Sequence, residues 1–168
     1  MKAMRSVDRV RDYFVQRGID ITIKELPSSA RTAQLAADAV GAPLGSIVKS
    51  LVFVADGRPI LALVAGDKRA DPAKIARLAN AQTAQIANAD QVRAATSYAI
   101  GGVPPVAHPA PADGTRLETL VDATLLRFEK VWAAAGAPNA VFEIELQKLI
   151  ELARGRVEDI VAVDHPQA

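Results

Sequence analysis

Apolar positions recur at helical spacing over residues 6–17. Val7, Val10, Phe14 and Val15 fall on one stripe, with Ser6 as an N-cap before them and Gly18 as a stop after them. The pattern then switches to alternation over residues 21–26, which reads as a short strand. Thr32 opens a second helix over Ala33–Val40, closed by Gly41 and Pro43. The run Ile47–Ala55 is β-branched and apolar, Asp56-Gly57 marks a tight turn, and residues 60–65 return as a partner strand. This is the strongest hairpin signal in the chain. Asp71-Pro72 opens a helix to about Ala79, with proline at its first position. A short strand over 83–86 precedes a helix over 90–96, and a proline-rich loop spans 104–111. Strands are predicted over 117–121, 131–134 and 141–144, then a helix over 145–153 and a last short helix near 157–162. No repeat, low-complexity block or linker divides the chain. The expected fold is α/β of the α+β kind, one domain over residues 1–168.

Composition narrows the chemistry. Only 4% of residues are aromatic while alanine supplies 33 positions, so the core must be built from Ala, Val, Leu and Ile. Cysteine is absent, which excludes disulfides, zinc–thiolate sites and thiol catalysis. With only His108 and His165, a histidine-rich metal centre is excluded too, and neither a metal nor a cofactor is expected. No apolar run approaches membrane-spanning length and the first 18 residues have no signal-peptide core, so the expectation is a soluble, cytoplasmic monomer. The net charge of +1 hides an asymmetry: residues 1–31 carry seven basic and four acidic side chains, residues 113–164 six and ten. A nucleic-acid partner is permitted, but indiscriminate basic binding is not; ordinary solvated helix faces would give the same counts.

Three groups of residues invite chemical readings. Gly41 to Ser50 has the paired glycines and Lys-Ser ending of a phosphate-binding loop, but Val48 precedes Lys49 and the lysine lies within a strand, so that reading fails. On the strand, Ile47, Lys49, Leu51 and Phe53 share one face and Val48, Ser50, Val52 and Val54 the other. A lysine among apolar neighbours either snorkels at a sheet edge or offers its charge to a ligand in a pocket. In Gly101-Gly102-Val103-Pro104-Pro105 the prolines lack N–H groups, leaving Gly101, Gly102 and Val103 as the donors. The loop is either a rigid surface turn or a nest for a carbonyl oxygen or phosphate. His108 is near enough to serve it as acid or base, or is a surface histidine; Asp122 either orients a polar partner or caps the segment after it. Trp132 and Tyr98 read as core rather than base-stacking platforms.

Together and in this order, the stretches 47–53, 64–67 and 98–105 resemble the YbaK/prolyl-tRNA-synthetase-associated editing domain family, with weaker matches at 120–122 and 134–136. The similarity covers about residues 20–160. It implies a compact domain with a central mixed, barrel-like sheet surrounded by helices, and hydrolysis of the ester joining an amino acid to the 3′-terminal adenosine of tRNA. By that resemblance Lys49 holds the 3′ end, the Gly101 backbone polarises the ester carbonyl, and Pro105 fixes the loop. Ser50, Tyr98, Gly102, Val103 and Asn139 would complete the substrate site. The implied protein is a free-standing trans-editing hydrolase meeting charged tRNA, aided by a synthetase or an elongation factor. The alternative is a non-catalytic module holding an aminoacyl or nucleotide ligand in the same pocket. Two positions depart from the family pattern: Ser97 replaces a second glycine before the aromatic residue, and 136–139 offers only Asn139 as a polar side chain.

Overall fold

The computed structural model describes residues 5–27, 32–109 and 116–163. His165 and residues 110–111 of the proline-rich loop fall outside them. The central element is the predicted hairpin, β2 (Ile47–Ala55) and β3 (Arg58–Ala65), closed by Asp56 and Gly57. Both turn residues have positive φ, +48° and +82°, as a two-residue type I′ turn requires. The hairpin registers Ala55 opposite Arg58 and Val48 opposite Ala65.

Around it the remaining strands are β1 (Ile23–Glu25), β4 (Ala84–Ile86), β5 (Glu118–Asp122), β6 (Lys130–Ala134), β7 (Ala140–Glu145) and β8 (Arg156–Glu158). They form one mixed sheet in the order β1-β7-β6-β2-β3-β5-β8, with β4 pairing β2 outside that path. The β2/β6, β3/β5 and β5/β8 pairs are parallel and the others antiparallel. The helices are α1 (Ser6–Gln16), α2 (Ala33–Val40), α3 (Pro72–Leu78), α4 (Ala89–Thr96) and α5 (Leu146–Ala153).

The alternation read from β2 is observed as two packing surfaces. Val48 and Val52 join the main core with Val7, Val10 and Phe14 of α1, Val92 of α4 and Leu149 of α5. Phe53 faces the other way, into a second cluster with Ile60, Ala62, Val64 and Ile75 of α3. Ile47 meets Ala36 and Ala37 of α2 in a third. Buried aromatic side chains are few, and Phe14 and Phe142 meet edge to face at 5.1 Å between centroids. Helices thus cover both faces of the sheet.

Local chemistry sets several helix ends as predicted. Thr32 accepts from the Leu35 amide at 3.1 Å, and Asp71 from Ala73 at 2.9 Å ahead of Pro72. Gly41 takes the left-handed conformation after α2. Two predictions need correction. Arg5, not Ser6, is the N-cap of α1, and no side chain caps it; Ser6 is the first helical residue. The last short helix expected near 157–162 is instead β8, with Val157 opposite Val121 and a bridge from Val161 to Ala70. Val157, Ile160 and Val161 are β-branched, and pairing with β5 outweighs a helix too short to sustain itself.

Candidate functional site

β2 loses its outer neighbour halfway along. β6 pairs only with Ile47 and Val48, and β4 only with Phe53, Val54 and Ala55. Residues 49–52 therefore have β3 on one side and no strand on the other. This gap opens a cavity of about 310 Å³ along the strand edge. Because the cavity passes the edge rather than one face, Lys49 and Ser50, which alternate, both line it.

The gap leaves Ser50 with unmet polar groups. In the hairpin, Ala55 and the alternate residues before it bond β3, so the main-chain groups of Val52 and Ser50 point outward. The outward carbonyl of Val52 accepts from Ala87 at 2.9 Å. A bond from Ser50 N–H to Ala134 would extend the β2/β6 ladder, but that ladder ends at Val48 and Ala133. The Ser50 Oγ is buried and has no hydrogen-bond partner. Buried polar groups are normally satisfied, so the Ser50 hydroxyl is an exception among the described residues.

The opposite wall comes from the glycine–proline loop. Gly101, with φ +88°, is the third residue of a turn in which Gly102 N–H donates to Ala99 O at 3.0 Å. Gly102 is therefore not one of the free donors that the sequence suggests. The amides of Gly101 and Val103 have no partner among the described residues, and both residues line the cavity. A Cβ on Gly102 would lie 2.8–3.0 Å from the Ala137 backbone, and one on Gly136 would lie 2.6 Å from Ser6 O. These glycines let α1, the β6–β7 connection and the glycine loop stack directly.

Lys49 contributes wall, and its ammonium donates to Lys68 O at 2.5 Å. Burial pushes its pKa below the ordinary 10.5, opposed by Asp122 and Asp67. Asp122 is 1% exposed, accepting from Ala65 N–H at 3.0 Å and from the Thr124 amide and hydroxyl at 2.8 Å each. It both orients the end of β3 and caps the next turn, so the two readings of this residue coexist. Asp67 forms a two-pronged pair with Arg127 at 2.8 and 2.9 Å, which holds its carboxyl below the usual range. Gly66 lies against the Leu44 carbonyl, where a Cβ would not fit. The 64–67 stretch thus frames the site without lining it.

The structure separates the remaining sequence candidates. Tyr98 is buried, donates to Ala107 O at 2.9 Å and lies under the Arg9 guanidinium, closing the ends of the loop. Asn139 ties its carbonyl to Leu26 N–H at 2.6 Å, away from this cavity's wall. Pro105 and His108 line a second cavity behind the loop. His108 Nε2 lies 2.7 Å from Pro104 O, and burial pushes its pKa down; it lines the second cavity and not the one lined by Lys49. Thr32, Ile86, Ile100, Trp132, Pro138 and Val141 complete the first cavity, and most were not singled out in the sequence. Trp132, read there as core, packs against the third cluster and also lines this cavity, and the Lys24 ammonium lies over its ring, 5.2 Å from the centroid. Among the described residues no cluster of His, Asp or Glu could hold a metal ion, and no helix is long and apolar enough to cross a membrane.

Comparisons with known proteins bear on the family and the fold. A solved structure of a proposed trans-editing enzyme for prolyl tRNA synthetase is 40% identical, with a TM-score of 0.86, covering 96% of this chain and 100% of that one. An uncharacterized protein, YwhH of Bacillus subtilis (strain 168), is 31% identical over 90% of this chain and 94% of its own length. The proline–tRNA ligase of Nitratidesulfovibrio vulgaris (Hildenborough) is 36% identical over 50% of this chain, which spans only 15% of that enzyme. The aminoacyl-tRNA editing domain model matches residues 27–152, from just after β1 to the end of α5. A mixed sheet interrupted beside Lys49, with the glycine loop facing the gap, is thus the setting in which this chain belongs to the aminoacyl-tRNA editing domain family.

Proposed function

We propose that the protein is a hydrolase acting in trans to deacylate mischarged aminoacyl-tRNA. The observation that carries this reading is the interruption of the sheet at residues 49–52, which sets Lys49 and the unsatisfied groups of Ser50 opposite Gly101 and Val103. The 3′-terminal ester would enter this cavity with its carbonyl against the Gly101 amide. An N–H fixed by a turn needs no reorganisation as negative charge builds on the oxygen, which is the condition for stabilising a tetrahedral intermediate. Lys49, released from Lys68 O, would hold the 3′ end through its phosphate or the aminoacyl group. The Ser50 hydroxyl would meet a polar group of the substrate.

No protein nucleophile is required. Water, oriented by a ribose hydroxyl of the substrate, attacks the carbonyl carbon; the ester C–O bond then breaks, the amino acid leaves as its carboxylic acid, and the proton given up by the water goes to the leaving ribose oxygen. The protein supplies orientation and carbonyl stabilisation. The apolar wall of Ala33, Ala36, Ile47, Ala134 and Val141 would receive a small amino-acid side chain.

The test is deacylation of tRNAs charged with Ala, Ser, Cys, Thr and Pro, comparing wild type with Lys49→Ala. Selective hydrolysis by wild type, falling about 100-fold or more in the variant, is expected for loss of a group that positions the ester. If wild type binds charged tRNA and leaves every ester intact, the pocket is a non-catalytic aminoacyl-binding site instead.

A further inference from the structure

Behind the glycine–proline loop lies a second, wider cavity of about 1060 Å³. The two cavities share a wall: Gly101 and Val103 face the first, while Pro105 to Pro109 face the second. Within α4, Val92 lines the first, and Ala94 and Ala95 the second. The second draws Arg17 from the end of α1, Arg58 from the hairpin, Arg116 from before β5 and Arg154 from the end of α5. Four elements distant in sequence thus bring arginine to one concavity.

The acidic residues on its wall neutralise only one of these four charges, that of Arg58. Glu118 is engaged with Arg58 at 3.7 Å and with Arg156 at 3.5 Å. Glu151 lies 3.5 Å from Lys148. Arg17, Arg116 and Arg154 form no ion pair among the described residues, and all three are exposed. Arg17 is preset by its stack over Tyr13, 3.6 Å from the ring centroid, and by a bond to Tyr13 O at 3.0 Å. The guanidinium groups of Arg17, Arg116 and Arg154, with no carboxylate partner among the described residues, match phosphate oxygens in geometry and charge.

We propose that this second cavity is a phosphate-binding site that engages the backbone of the RNA whose 3′ end occupies the first. The identity of that RNA rests on the editing reading above; the phosphate chemistry does not. Arg116 and Arg154 would contact phosphodiester oxygens directly, and Arg17, held by Tyr13, would fix the orientation. Such contacts carry affinity without reading sequence.

The experiment titrates the full-length protein against a fluorescent, uncharged RNA hairpin with an acceptor-type stem and a CCA end, and separately against ATP. Wild type is compared with the double variant Arg116→Gln/Arg154→Gln and with Lys130→Gln, an exposed lysine outside both cavities. Thermal melting confirms that all three fold. The double variant should bind the hairpin about 10-fold more weakly at low salt. Its dependence of log affinity on log salt should be shallower by about one per arginine engaged. Lys130→Gln should stay within about two-fold of wild type, as a lost surface charge outside the site requires. Loss of ATP binding alone would keep the phosphate site and assign it to a free nucleotide. Unchanged affinity for both ligands overturns the proposal. Because the hairpin carries no amino acid, a failure of deacylation would sink the editing reading and leave this binding result standing.

Discussion

The two cavities share a wall and differ in almost everything else. The first is small and largely apolar, and its polarity comes from Lys49, Ser50 and Thr32 together with main-chain groups at a strand edge and a glycine turn. The second has more than three times the volume and draws its polarity from long arginine side chains. The contrast teaches a division of labour. Main-chain donors fixed by sheet and turn are rigid enough to act on a reacting bond. Exposed guanidinium groups on long side chains suit a ligand that must be gripped and released.

The largest expected effect that would test this contrast is alkaline loss of function in the first cavity. On the proposed reading Lys49 must be charged to hold the 3′ end, and burial has already lowered its pKa from 10.5. Deacylation should therefore fall away on the alkaline side before an ordinary lysine would lose its proton, while RNA binding through arginine persists. The sign for stability is the opposite of that for activity. The unfolded chain holds the Lys49 proton more tightly than the folded one, so raising pH from the folded value towards 10.5 favours folding. A deacylation profile flat to the ordinary lysine value would show that the Lys49 charge is not needed.

Gly102→Ala comes next. The new Cβ would meet Ala137 backbone, which cannot swing away as a side-chain tip can. Destabilisation of about 1–3 kcal/mol is expected, seen as a lower melting temperature. Displacement of the loop should cut deacylation below the temperature of melting, while hairpin affinity at the arginine cavity changes little. Equal loss of both would mean that the shared wall couples the two sites.

Ser50→Ala should have the smallest effect on stability. Removing an unpartnered buried hydroxyl should leave the melting temperature unchanged or raise stability by roughly 1 kcal/mol. Turnover should nevertheless fall if that hydroxyl serves the substrate. A clear drop in stability would instead assign Ser50 a structural partner.

Much of this fold was legible because its signals are local. Asp56-Gly57 dictates the hairpin, Thr32 and Asp71 cap their helices, and the alternation along β2 separates two packing surfaces. Lys49 and Gly101 also stood out, as a charge among apolar neighbours and as a turn glycine. What could not be read is where pairing stops. The short contact of β2 with β6, and its later contact with β4, join segments far apart in the chain, and no local pattern announces a ladder of two pairs. The engagement of Gly102 by Ala99, and of Asn139 by Leu26, follows from turn closure and packing for the same reason. The arginine cavity was hidden more completely, since its charges come from four separate elements.

The interruption in β2 has a consequence for how such a site can change over generations. Its floor is peptide backbone, held by hairpin register, and backbone is the part of a protein that substitution does not rewrite. Its walls are the side chains of Ala33, Ala36, Ile47, Trp132 and Val141, where changes of bulk that compensate one another leave the main-chain ladder bonds in place. Drift can therefore reshape what the cavity admits while the groups beneath keep their positions. A descendant with a new preference would differ from its ancestor in the lining and share the same floor.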